Sequence, residues 1–316
     1  MSARWDLLGF GAVAVDDLLY VEHYPPPDSK MPVQRWERQG GGLTGTALVA
    51  AARLGAKAAY AGILGDDDLS LYTLHELEKE GVDCGPVLRR RGARPFHSIV
   101  IVDLSTAQRS ILYTAEGVQE RQPEEITEDL IARCRVLFVD HIGVAGGLRA
   151  VELAHRHGIP VVADFERAEH PLLPALMRQV DHLILSLRFA SLITGESEPP
   201  AIVRALASPE RACCVVTAGE RGCWYAERGG EVRHFPAFRV PVVDTTGCGD
   251  VFHGAYAASL ARGEGVDTAI RVATAAAALK ATQAGGRAGI PSRATVDRFL
   301  QEHAGAERLG AERPIP

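Results

Sequence analysis

The chain has 316 residues, a formal net charge of −6, and 47% hydrophobic and 23% charged residues. These totals are ordinary for a soluble globular protein and fit one large α/β domain or two modest ones, of which a single domain over residues 1–316 is expected. They argue against a nucleic-acid partner, and the absence of any apolar run of about 18 residues argues against a membrane span.

Residues 7–15 read as one buried strand. Residues 16–39 form a long segment carrying Pro25-Pro26-Pro27. Residues 44–54 read as an Ala-rich helix closed by Gly55, 58–63 as a strand, and 69–80 as a helix ending at Gly81. Residues 95–114 alternate in a strand-like way around a polar turn, Ser105-Thr106-Ala107-Gln108. Short apolar runs follow at 136–139, 161–163, 183–185 and 214–217, separated by helical patterns. A strand-like approach at 238–243 leads to an apolar helix over 251–260. This alternation predicts βαβ units, a mostly parallel sheet with helices on both faces, and ligands at the carboxyl ends of the strands. Segments 16–39 and 95–114 are expected outside that sheet as hairpins. The polar tail 304–316 is expected to fray. The first residues lack a secretory apolar core, so a cytoplasmic location is expected. The six cysteines have no zinc-like spacing. Cys213 and Cys214 read as buried strand residues, whereas Cys248, expected at a helix N-terminus, is expected to have a lowered thiol pKa.

The most informative stretch is Val243-Asp244-Thr245-Thr246-Gly247-Cys248-Gly249-Asp250-Val251-Phe252-His253-Gly254. Gly247 and Gly249 bracket a turn that leaves backbone N–H groups at a helix N-terminus, a ready anion site. A carboxylate there, Asp250, would repel a resting phosphate. It suits a base that takes a proton from an attacking hydroxyl while the amides hold a transferring phosphoryl group. The same residues also fit an ordinary helix N-cap.

This stretch resembles the second signature of the ribokinase (PfkB) family of sugar and nucleoside kinases, D-T-x-G-A-G-D-x-F-x-[GA], with Cys248 in place of alanine. Gly40-Gly41-Gly42-Leu43-Thr44-Gly45-Thr46-Ala47 with Arg53-Leu54-Gly55 resembles the first signature, with Thr46 where the family usually has Asn. The resemblance covers about residues 6–302. It implies a ribokinase-like three-layer α/β/α fold with a central, mostly parallel sheet and a small β lid built from about 16–39 and 95–114. It implies an ATP-dependent carbohydrate kinase that uses Mg2+. Asp250 would be the base, and the backbone of Gly247, Cys248 and Gly249 the anion hole. Asp16, Gly41, Gly42, Thr46 and the candidate Lys30 would hold the sugar, with Asp17 competing for the role of Asp16. Ser186, Thr217, Gly219, Gly222, Gly247, Gly249 and Gly286 would lie along ATP. A monovalent cation such as K+ is implied near Asp244, Thr246 and Gly289, and a homodimer through the lid. The family's N-x-x-E motif is missing, Ser186 and Phe189 standing in its place. Segments around Tyr24-Pro25, 34–38 and 109–113 resemble ketohexokinases. Other blocks, 243–255 among them, resemble bacterial sulfofructose kinases. The expected reaction is transfer of the γ-phosphoryl group to a primary alcohol of a ketose-type or related sugar. A nucleoside kinase and a catalytically weak sugar or nucleotide sensor are the alternatives.

Overall fold

The computed structural model describes residues 4–106 and 108–304. Ala107 of the polar turn, and the tail beyond Ala304, lie outside the described residues. In chain order, β1 (Trp5–Phe10), β2 (Ala14–Val21) and β3 (Arg35–Gly41) precede α1 (Leu43–Arg53), β4 (Ala58–Tyr60), β5 (Ile63–Leu64) and α2 (Asp68–Lys79). Then come β6 (Leu88–Arg89), β7 (Phe96–Asp103), β8 (Arg109–Thr114), α3 (Glu128–Ile131), β9 (Cys134–Asp140), α4 (Val144–Arg156), β10 (Val161–Asp164) and α5 (Leu173–Gln179). The chain continues with β11 (His182–Ser186), α6 (Leu187–Thr194), α7 (Pro199–Leu206), β12 (Cys213–Thr217), β13 (Cys223–Glu227) and β14 (Arg233–Phe235). It closes with α8 (Cys248–Ala261), α9 (Val266–Ala281) and α10 (Arg293–Glu302).

The main sheet runs β14-β13-β12-β11-β10-β9-β1-β4, parallel from β4 to β12 and antiparallel at β13 and β14. Its strands are continuous apolar runs because both faces are covered. Leu7, Val136, Phe138, Val162, Ile184 and Val215 pack into one core with α1, α8 and α9. The alternating Leu8, Leu137, Val139, Ala163, Leu185 and Val216 pack into the other with α4 to α7. The three layers expected from the alternation are therefore present.

Residues 7–15 are not one strand. The chain leaves β1 at Gly11, where an added Cβ would lie 2.2 Å from Asp140 Oδ2 and 2.3 Å from Thr44 Oγ1. Asp140 Oδ2 accepts from Ala12 N at 2.7 Å and turns the backbone into a second sheet. That sheet, β3-β2-β7-β8, gathers both segments that break the alternation. Each segment is the expected antiparallel hairpin, β2–β3 and β7–β8, and the parallel β2–β7 pairing joins the two into one sheet. Residues 238–243 belong to no strand either. Val243 and Asp244 donate to Ala281 O, and Val242 and Val243 stay exposed. No helix among the described residues is long and apolar enough to cross a membrane.

Candidate active site

The carboxyl ends of the main strands meet the base of the four-stranded lid, and α8 starts between them. Gly247 adopts φ 74 as its N-cap, and no side chain caps the helix. The Cys248 N–H donates to Thr245 O at 3.2 Å and the Val251 N–H to Gly247 O at 2.9 Å. The N–H groups of Gly247, Gly249 and Asp250 find no acceptor among the described residues. This shifts the expected donor set: Cys248 has spent its N–H, and Asp250 offers one.

Two cavities flank this first turn. One, of about 610 Å³, lies under the lid against Asp16, Gly42, Ser98, His141, Glu166, Arg167, Thr245 and Thr246. The other, of about 1120 Å³, is lined by Thr217, Gly219, Gly222, Phe252, Ala277, Ala278, Cys248 and Gly249. Val242 and Thr245 border both cavities, so the α8 N-terminus stands at their junction. The Asp250 carboxylate makes no hydrogen bond among the described residues. Burial pushes it well above the usual carboxylate range, with Asp164 and Glu166 adding repulsion, while His253 and Arg287 oppose. Asp250 itself lies in neither cavity wall, one residue beyond Gly249, which lines the larger cavity; a raised carboxylate pKa marks a candidate functional group. Asp164, buried at the end of β10, is raised too, by burial and by Glu166 and Asp140. Its Oδ2 lies 3.4 Å from His253 Nδ1. The His253 ring bridges Gly249 O (2.8 Å) and Ile184 O (3.0 Å) and so locks the α8 first turn to β11.

The choice between Asp16 and Asp17 follows from strand alternation, which sends neighbours to opposite faces. Asp17 points away from the cavity and is consumed by Arg38 (2.8 and 2.9 Å) and His97 (2.9 Å). Asp16 faces the cavity, takes a hydrogen bond from Ser98, and is raised mainly by burial. The glycine turn is shaped to it: a Cβ at Gly41 would lie 2.1 Å from Asp16 Oδ2, and Gly42 sits at φ 85. Thr46 is buried and accepts from Arg287 Nε at 3.2 Å.

The remaining expected residues divide. Thr217, Gly219 and Gly222 line the larger cavity. Gly286 N donates to the lid's Gln39 Oε1 at 3.1 Å. Ser186 caps α6, accepting from Phe189 N at 3.3 Å, and lies outside both cavity walls. Lys30 is exposed in the long loop between β2 and β3, away from both cavities. Cys248 departs from expectation: burial raises its thiol pKa, and Sγ turns onto Ala277 O at 3.5 Å rather than toward the helix end. The Asp244 carboxylate already accepts from Thr246 N and Oγ1 (2.8 and 2.6 Å) and Gly285 N (2.9 Å). The fully buried Lys280 donates Nζ to Asp244 O at 2.8 Å, so this loop holds a cation of its own. Gly289 packs close behind, where a Cβ would meet Lys280 O at 2.7 Å. No group of three or more His, Cys, Asp or Glu that could hold a metal occurs among the described residues.

Sequence reasoning missed Arg287, Asp164, Glu166 and His253. Asp164 had a signal, being the carboxylate that ends the apolar run 161–163. Arg287 had none, because its side chain reaches the site from a loop far along the chain.

A doubly covered parallel sheet with a lid, and an open helix N-terminus between two cavities, is the architecture of a small-molecule phosphotransferase. The chain belongs to the pfkB family of carbohydrate kinases, whose description matches residues 6–293, and is an ATP-dependent phosphotransferase of that family. It is similar to a ribokinase of Haemophilus influenzae (26% identity, covering 95% of this chain and 100% of that protein). It is also similar to fructokinase-1 of Oryza sativa subsp. japonica (29%, 83% and 88%). Among solved structures, a putative ribokinase from Agrobacterium tumefaciens superposes with a TM-score of 0.87 at 29% identity, covering 98% of this chain and 99% of that one.

Proposed function

We propose that the protein transfers the γ-phosphoryl group of ATP to a primary alcohol of a ketose-type or related sugar. One observation carries this reading: a pKa-raised carboxylate with no hydrogen bond, Asp250, in the same first helix turn as unpaired amides, on the helix whose start borders two cavities. The sugar sits in the cavity under the lid, held by Asp16 and the Gly41-Gly42 turn above Thr46. ATP lies in the larger cavity along Thr217, Gly219 and Gly222, its γ-phosphate at the amides of Gly247, Gly249 and Asp250. Asp250 takes the proton of the sugar hydroxyl. The freed oxygen forms a bond to the γ-phosphorus as the bond to the β-phosphate oxygen breaks, ADP leaves, and Asp250 returns the proton to solvent. Positioning and electrostatics carry such a transfer. Mg2+ would offset phosphate charge, and Asp164 and Glu166 are the carboxylates we assign to its water shell in place of the missing N-x-x-E. The Lys280 ammonium supplies positive charge beside Asp244, where K+ is expected from the family resemblance.

The outer lid face exposes Trp36 on β3 and the paired Ile99 and Leu112 on β7 and β8, which supports a homodimer formed there. A cytoplasmic location is part of the same proposal, since an ATP-dependent kinase works where ATP is supplied. One observation favours a second reading, a nucleoside kinase: the wall beyond Asp16 is apolar, with Leu18, Phe96, Val100 and Ile111. Coupled ADP detection with D-fructose, D-ribose and adenosine separates the two. Turnover on fructose above the others supports the ketose reading, and turnover on adenosine alone overturns it.

A further inference from the structure

The wall of the lid cavity carries Arg35, Arg109 and Arg167, and the first two are spent on carboxylates. Arg35 lies 3.2 Å from Glu37 Oε1, and Arg109 lies 3.7 Å from Asp244 Oδ1. Arg167, in the loop after β10, has no carboxylate within ion-pair distance among the described residues. Its Nη1 donates to Tyr113 Oη at 2.6 Å, and its guanidinium carbon stands 5.0 Å from the centre of that ring. Nε and Nη2 have no partner among the described residues. These two nitrogens form one edge of the guanidinium, a fork that takes a carboxylate through two parallel hydrogen bonds. His141, just past the end of β9, lines the same cavity. Its Nδ1 accepts from Glu166 N at 3.4 Å, and burial together with the Arg167 charge pushes its pKa down to about 4.

The polarity of this wall follows from those contacts. A phenol whose oxygen already accepts from Arg167 has its own hydrogen left to give. A neutral imidazole whose Nδ1 accepts carries its hydrogen on Nε2. A guanidinium only donates. Tyr113, His141 and Arg167 come from β8, the end of β9 and the loop after β10, and together they offer donors and one positive charge. Asp16, on the same cavity, offers the reverse, an acceptor with a negative charge. Strand register sets the spacing: Asp16 pairs with Ser98 and Ser98 with Tyr113, so Asp16 and Tyr113 stand two strand spacings apart, roughly 10 Å. One hexose with its hydrogen bonds spans that distance. Glu166 lines the cavity too, but its charge is felt by Asp164 and Asp250 on the phosphoryl side, whereas Arg167 reaches the lid. A sugar hydroxyl accepting from this wall would leave its own hydrogen to water. A carboxylate only accepts, and it matches a single positive charge. A phosphate dianion would meet Glu166 and Asp16 with one cation to offset it.

Resting on the assignment of the sugar site to the lid cavity with Asp16, we propose that Tyr113, His141 and Arg167 form a carboxylate receptor and that the acceptor is a sugar acid. Its carboxylate lies on the Arg167 fork, at the end of the sugar remote from the alcohol that is phosphorylated. Asp16 takes hydroxyls along the sugar.

The test uses three sugars that differ only at C1: D-fructose with an alcohol there, 2-keto-D-gluconate with a carboxylate, and D-fructose 1-phosphate. Coupled ADP detection gives kcat/KM for each on wild type and on Arg167→Met, Arg167→Lys and Tyr113→Phe. Wild type should prefer 2-keto-D-gluconate to D-fructose by at least about tenfold, the scale of one charged hydrogen bond. In Arg167→Met the ratio of the two kcat/KM values should fall by about 10- to 150-fold on that scale. Arg167→Lys keeps the charge without the fork and should retain part of the preference, which covers the case in which the methionine variant folds poorly. Tyr113→Phe keeps the ring beside the guanidinium without the O–H and should lower the ratio less. A wild type that prefers D-fructose would overturn the proposal. So would equal losses on both sugars in Arg167→Met, with the ratio unmoved, which would make the Arg167–Tyr113 contact a strut between lid and body. A preference for D-fructose 1-phosphate that disappears in Arg167→Met would make the site a phosphate receptor and overturn the carboxylate reading. A wild type that phosphorylates none of the three removes the assignment of the sugar site and the proposal with it, whereas the other outcomes bear on the receptor alone.

Discussion

Asp16→Ala and Asp17→Ala should part cleanly, although the two residues are neighbours in the chain. Asp16 faces the lid cavity and binds only Ser98 within the protein. Asp17 is spent on Arg38 and His97 on the other face. Removing Asp16 deletes a charged acceptor for sugar hydroxyls, worth about 1.5–3 kcal/mol. At about 1.4 kcal/mol per factor of ten, that is roughly a 10- to 150-fold rise in sugar KM. The KM for ATP should barely change. Removing Asp17 instead frees a partly exposed arginine and a histidine, at a cost of about 1–2 kcal/mol in stability, between the values for exposed and buried charged pairs. Its signature is a lower Tm with near-normal sugar KM. The assay is initial-rate kinetics with coupled ADP detection, varying sugar and ATP separately, beside a thermal melt. A raised sugar KM in Asp17→Ala with none in Asp16→Ala would refute the strand register from which the sugar site is built.

Asp250→Asn should melt at a higher temperature than wild type near neutral pH: a folded pKa raised by burial means the ionised form costs stability above that pKa, and the amide removes the cost. An unchanged or lower Tm would contradict that sign. Cys248→Ala should leave activity nearly intact, because the unpaired donors are backbone N–H groups of its neighbours. Iodoacetamide should modify Cys248 slowly at pH 7, since burial keeps the thiol protonated, and a rapid loss of activity in wild type that is absent in Cys248→Ala would show otherwise. Replacing K+ by Na+ should leave wild-type turnover unchanged, whereas Lys280→Met should become slower and respond to K+. A strictly K+-dependent wild type would mean that the ammonium does not serve the Asp244 loop.

Much of the layered fold was legible because parallel strands buried on both faces are unmistakable apolar runs, as at 136–139 and 183–185. Helix ends were legible where chemistry marks them, as at Gly55 and Gly81. The break inside 7–15 was not, because apolar residues continue across it and only the distant Asp140 forces the turn. Segment 238–243 has strand-like side chains, but the N–H groups at its end donate to Ala281 O at the end of α9 and not to a strand. The site was legible where it is local, in the turn from Gly247 to Asp250. It was not legible where it depends on packing. Which Gly-turn amides are free depends on the carbonyl of Thr245, the state of Cys248 on the carbonyl of Ala277, and the charge beneath the lid on an arginine 241 residues from Thr46.

The most direct test of the account is turnover by Asp250→Asn on the best sugar substrate with MgATP, beside equilibrium binding of both ligands. The account predicts that ATP and sugar still bind while kcat falls by roughly 10²–10⁴, the scale of general-base catalysis. Turnover within about tenfold of wild type on that scale would mean that Asp250 is not the base.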